Sequence, residues 1–179
     1  MSKLLKYARV ERERRFLLAG LPAGVDAASG YRELSDLYLD GTRLRLRLVT
    51  APDGAVLERK LTQKLLGPDP RPERRILTTL YLDAAEFERL AALSGRRLAK
   101  RRHTLVSGGR PFAIDVFLGP LEGLVLAEIA LEDEEVLRAL APPPFARADV
   151  TDVVLFTGGE LARSDPAQVL AEARRRLGG

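Results

Sequence analysis

The chain has 179 residues, 46% of them apolar and 30% charged, with a formal charge of +4 from 29 Lys and Arg against 25 Asp and Glu. That length and balance predict one globular domain spanning residues 1–179, and the positive excess favours anionic partners. With no Cys and His103 as the single histidine, disulfides, thiolate centres and the common His-based zinc sites are excluded, so any metal would sit on oxygen ligands as Mg²⁺, Mn²⁺ or Ca²⁺.

Residues 1–21 offer no apolar run fit for a signal peptide, and no segment is long enough to span a bilayer, which predicts a cytoplasmic protein with no membrane partner. Residues 10–16 read as a strand whose alternation sets Glu11, Glu13 and Arg15 on one face. Carboxylates two apart on a strand lie about 7 Å apart at Cα and can reach one hard cation. A solvated charged edge accommodates the same pattern; the later strands, which repeat the habit, favour a polar cavity. Residues 21–30, broken by Pro and Gly, read as a loop.

Residues 34–39 predict a second strand ending at the Asp40-Gly41 hairpin signal. Over 42–49, Arg43, Arg45 and Arg47 alternate with Leu44, Leu46 and Leu48, the clearest strand pattern in the chain. Pro52-Asp53-Gly54 turns into a strand over 55–63 carrying Lys60, with Lys64 just beyond. The Gly- and Pro-rich residues 67–72 predict a rigid loop that cannot pair in a sheet, followed by a strand over 74–82. Asp83 predicts an N-cap for a helix over 84–93 that ends at Gly95.

Residues 98–106 resume strand character, with Lys100 and Arg102 on one face. A Ser107-Gly108-Gly109 hairpin leads to a strand over 111–118 bearing Asp115, and a turn between Gly119 and Gly123 leads to 124–131, bearing Glu128. Residues 132–135 open a short helix to about Leu140, stopped by Pro142-Pro143-Pro144. Asp165, with Pro166 at the first helical position, starts a terminal helix over 165–177 whose Arg174, Arg175 and Arg176 suit its C-terminal dipole. About eight strands joined mostly by hairpins predict a mainly β, α+β fold: an eight-stranded antiparallel barrel with helices packed outside against its apolar face. Opposite charges on the shared polar face make that side a wet interior.

Glu11-Arg-Glu-Arg-Arg-Phe16, Arg45-Leu-Arg47, Lys60, Arg71-Pro-Glu73, Lys100-Arg-Arg102, Ile114-Asp-Val-Phe117 and Leu126-Ala-Glu128 follow one another in a fixed order. Together, from Glu11 to about Asp152, they resemble the motifs of the CYTH superfamily, the triphosphate tunnel metalloenzymes. That resemblance implies an eight-stranded tunnel that cleaves inorganic triphosphate or a small organic triphosphate. It implies Glu11, Glu13 and Glu128 as ligands of Mg²⁺ or Mn²⁺, and Arg45, Arg47, Lys60, Lys100 and Arg102 as phosphate ligands. Arg15, Lys100 and Asp115 become the catalytic candidates, although Asp115 suits a plain salt bridge equally well. Arg43 is expected at the tunnel mouth.

The implied partner is a triphosphate-containing small anion, with no specific nucleic acid, bound by a monomer or homodimer. Two alternatives stand beside hydrolysis: a non-catalytic triphosphate-, polyphosphate- or nucleotide-binding module, and a class IV-type adenylate cyclase. The module reading draws on departures from the family pattern. Arg15 stands for a lysine, Arg75 and Ala130 for carboxylates, His103 for a tyrosine, and residues 153–159 for a more charged segment.

Overall fold

The computed structural model describes residues 7–25, 30–66, 71 and 73–178. Residues 1–6, residues 26–29 of the first expected loop, and the Pro-rich stretch at 67–70 and 72 lie outside the described residues. The strands are β1 (Arg9–Leu18), β2 (Arg32–Leu39), β3 (Leu44–Thr50), β4 (Val56–Leu65), β5 (Arg74–Tyr81), β6 (Gly95–Ser107), β7 (Arg110–Phe117), β8 (Val125–Ala130) and the two-residue β9 (Ala148–Asp149). Among the described residues four α-helices accompany them: α1 (Ala84–Ala91), α2 (Glu134–Ala139), α3 (Gly158–Arg163) and α4 (Pro166–Leu177).

The first eight strands close into an antiparallel barrel in the order β5-β4-β3-β2-β6-β7-β8-β1, with β1 returning to β5. Closure depends on β1 serving two partners. Its first half, Arg9 to Arg12, pairs with β5, and its second half, Glu13 to Leu18, pairs with β8. β9 adds a short pairing at Phe16 and Leu17.

Local chemistry accounts for the element ends. Asp83 and Glu86 form a reciprocal capping box at the start of α1. That helix stops at Ala91, earlier than expected, because Gly95 begins β6 rather than capping the helix. A Cβ on Gly95 would lie 2.4 Å from the Tyr38 carbonyl oxygen, so only glycine lets β6 approach β2 there. Between β6 and β7 the chain reverses through Gly108 and Gly109, both at positive φ.

Alternation divides the side chains of the wall into two sets. Outward residues build two apolar clusters. Phe16, Phe112, Ile114, Ala127 and Ile129 pack under α2 through Leu137, and Leu37, Leu39 and Leu46 pack under α1 through Phe87 and Leu90. The third cluster faces inward. Leu17, Leu98, Phe117 and Leu126 each lie two residues beyond a charged inward residue, and they meet Phe156, Leu161, Val169 and Ala173. So α3, α4 and a 3-10 turn at Val154–Phe156 sit outside the wall but cover one end of the barrel, filling it with an apolar plug. No helix among the described residues is long and apolar enough to cross a membrane.

Candidate active site

Above the plug, the barrel holds a cavity of about 800 Å³. Eleven Lys and Arg side chains line it against four glutamates. Every strand except β7 and β9 contributes lining residues, and the floor comes from residues 154–163. Tyr7 and Tyr81, which line the cavity as well, are 75% and 73% exposed.

Two buried aspartates brace the cations from behind. Asp36 on β2 is 3% exposed and accepts hydrogen bonds from Arg47 Nε at 2.6 Å and Nη2 at 2.7 Å. Arg45 Nε lies 3.8 Å from the same carboxylate, buried and without a hydrogen-bond partner. Burial opposes ionisation of Asp36, yet the charges of Arg47, Arg45 and Lys100 outweigh it and hold the carboxyl at about 2. Asp115 on β7 is fully buried. It accepts from Lys100 Nζ and from Arg102 Nε and Nη2, both at 2.6 Å.

Strand register fixes both arrangements, since Asp36 pairs with Arg47 and Arg102 with Asp115 directly across their ladders. Burial also pushes the Lys100 ammonium below its ordinary value, an effect that Asp115 partly offsets and Arg102 reinforces. Near the floor, burial and the Asp36 charge raise the Tyr38 hydroxyl to about 12.

The carboxylates expected to hold metal all line the cavity, and each is engaged by a cation. Glu11 accepts from Lys64 Nζ at 3.2 Å. Glu13 accepts from Arg15 Nη2 at 2.5 Å, and Glu128 from Arg15 Nε at 3.4 Å and Arg102 Nη2 at 2.6 Å. Against the cost of burial, Lys100, Arg102, Arg15 and Lys64 together hold Glu128 well below the usual carboxylate range. Among the described residues, no three Asp, Glu, His or Cys side chains gather as a cation cage. Glu13 and Glu128 nonetheless fit Mg²⁺ or Mn²⁺ in chemistry. They offer hard oxygens on adjoining strands, and such ions commonly take one or two carboxylates and fill the remaining positions with water and substrate phosphate.

Of the other expected residues, Arg15, Arg43, Arg45, Arg47, Lys60, Lys100 and Arg102 all line the cavity, while Asp115, on the same inward face, is buried beneath Lys100 and Arg102. Lys60 is paired with Glu58 and stands 5.4 Å above the Tyr81 ring. Glu73 turns instead to Arg138 of α2 at 2.6 Å, and His103 is buried beside the Tyr31 ring. Sequence reasoning missed Asp36, Tyr38 and the floor residues Thr157, Gly158, Gly159, Glu160 and Arg163. One signal was available for Asp36: it shares parity with Tyr38 in a strand that is otherwise leucine-rich.

A closed antiparallel barrel whose interior is dense in guanidinium groups, with Arg15, Arg47 and Arg102 held by buried or cavity carboxylates, defines a container for a small polyanion. No family model matches the chain. It is 34% identical over 162 residues to an inorganic triphosphatase of Nitrosomonas europaea, covering 87% of this chain and 99% of that protein. A crystal structure of an inorganic triphosphatase superposes with a TM-score of 0.56 at 28% identity, over 86% of this chain and 95% of that one. Another, of a hypothetical protein, gives 0.58 at 30% identity, over 87% and 99%. The chain belongs to the CYTH superfamily of triphosphate tunnel metalloenzymes.

Proposed function

We propose that the protein is a metal-dependent triphosphatase, cleaving inorganic triphosphate or a small organic triphosphate at the terminal phosphorus. The observation that carries this is the cavity itself, where eleven cations outnumber four glutamates and leave a positive excess for a chain of three phosphates. The similarity to an inorganic triphosphatase supports the same substrate class. Residues 1–179 act as one unit on this reading, a cytoplasmic monomer or homodimer with no specific nucleic-acid partner.

Glu13 and Glu128, with Glu11 nearby, would hold Mg²⁺ or Mn²⁺, which supplies Lewis acidity at phosphate oxygens when bound. Arg45, Arg47 and Arg102 present planar forks that bind phosphate oxygens two at a time, and Lys60 and Lys100 add compact point charges. Asp36 and Asp115 touch no substrate. They fix the angles of these side chains before substrate arrives, so little reorganisation is needed as negative charge builds on the leaving pyrophosphate. Arg15 stays charged at any working pH and serves as a fixed cation rather than a proton carrier.

Triphosphate with Mg²⁺ or Mn²⁺ should release phosphate, and Glu11→Ala and Glu13→Ala should abolish the release. No turnover with either metal would overturn the reading. One observation favours a second reading, a binding module: each candidate metal carboxylate is already neutralised by Lys or Arg. Tight triphosphate binding in excess chelator, with no hydrolysis once metal is restored, would select that module.

A further inference from the structure

Arg15 sits between two of the carboxylates expected to hold metal. On β1 it shares a face with Glu13, two residues earlier, and across the ladder it sits opposite Glu128 of β8. Its guanidinium bridges the two, through Nη2 to Glu13 Oε1 at 2.5 Å and Nε to Glu128 Oε1 at 3.4 Å. Arg102 takes the second oxygen of Glu128 at 2.6 Å. Arg15 is 4% exposed, and its Nη1 is buried without a hydrogen-bond partner.

We propose that Arg15 is an internal counter-ion that makes divalent-cation binding conditional on triphosphate. The proposal rests on the metal-dependent reading above. Without triphosphate, the guanidinium spans the two carboxylates that would receive the cation. A dication entering there adds two positive charges to a cluster already holding Arg15, Arg102 and Lys100 around Glu13, Glu128 and Asp115. A triphosphate reverses that balance. It offers acceptors to the unpartnered Nη1 and to the rest of the fork, so Arg15 turns from carboxylate to phosphate and frees Glu13 and Glu128. A lysine, donating from a single atom, would bridge the pair less completely and compete less with metal. Coupling between the two ligands is reciprocal: whatever factor triphosphate adds to metal affinity, metal adds to triphosphate affinity.

Calorimetric titration of Mn²⁺ into the full chain tests this, with and without saturating imidotriphosphate, a non-hydrolysable analogue whose own Mn²⁺ binding is subtracted. The wild type should bind Mn²⁺ roughly tenfold or more tightly with the analogue, within the usual range of coupling between two ligands. Arg15→Gln should raise the Mn²⁺ affinity of the analogue-free protein by about the same factor and reduce the coupling, and Arg15→Lys should move in the same direction by less. If Arg15→Gln fails to fold, Arg15→Lys carries the comparison.

Equal Mn²⁺ affinity of the wild type with and without analogue overturns the inference and leaves the metal-dependent reading standing. So does an analogue-free affinity that neither variant raises. Hydrolysis of triphosphate in excess EDTA, or no Mn²⁺ binding in either state, overturns the metal-dependent reading and the inference with it.

Discussion

Asp36 and Arg47 face each other across β2 and β3, joined by two hydrogen bonds of 2.6 and 2.7 Å on a carboxylate that is almost wholly buried. Because the bonds fall on both oxygens, the guanidinium plane is fixed before any anion enters. Replacing Asp36 with Asn keeps the shape and removes the charge, leaving Arg47 without its counter-ion. The expected outcome is a raised KM for triphosphate and a destabilisation of about 3 kcal/mol or more, as is usual when one partner of a buried pair is lost. Steady-state kinetics and urea unfolding check both.

The same carboxylate sets a pH dependence. Its folded value of about 2 lies below the ordinary 3.8, so its stabilising contribution is complete above about pH 4 and is lost as pH falls toward 2. That contribution amounts to about 2 kcal/mol. The gap between the unfolding free energies of wild type and Asp36→Asn, measured from pH 7 down to pH 2, should therefore narrow by about 2 kcal/mol at the acid end. A difference constant across that range would remove Asp36 as the cause.

Arg102 bonds Asp115 through two nitrogens and Glu128 through one of them. Arg102→Lys keeps the charge but not the fork, so activity should fall at least tenfold with a small change in thermal stability. Arg102→Ala should lose activity and also lower Tm, because Asp115 then keeps Lys100 alone. Equal activity of Arg102→Lys and wild type would show that point charge suffices.

Ala130 pairs with Glu13 across β1 and β8 and is exposed. A glutamate there would not be buried, so Ala130→Glu should cost little stability. As an added oxygen donor beside Glu13, it should lower the Mg²⁺ or Mn²⁺ concentration needed for half-maximal activity. Activity assayed against metal concentration checks this.

Leu161 is 3% exposed and belongs to the apolar plug. Leu161→Ala should destabilise the fold by about 2–4 kcal/mol, the range for large-to-small changes in a packed core. Chemical denaturation measures it, and a loss below about 0.5 kcal/mol would mean that α3 is not packed there.

The barrel was legible because its strands alternate cleanly. The Arg–Leu pattern of 43–48, and the shared face of Lys100 and Arg102, announced both the strand period and the polar side. Seven short motifs in order then placed the cavity cations. Local sequence could not show which anions would hold them. Asp36 reads alone as a surface aspartate, and only the β2–β3 register brings Arg47 opposite it. Glu11 and Lys64 are likewise 53 positions apart, joined only because β1 closes the barrel on β5. The plug was hidden for another reason. Strand parity tells inside from outside, but it does not tell where along the axis the inward residues turn from charged to apolar.

The plug also sets a stop at one end of the barrel, where Leu17, Leu98, Phe117 and Leu126 offer no partner to a charged oxygen. The inward cations give way to those side chains, so the wall measures out the length over which an anion can be neutralised. A barrel built this way works as a gauge: an anion as long as the charged stretch is matched along its whole length, and the ends of a longer one are left without partners.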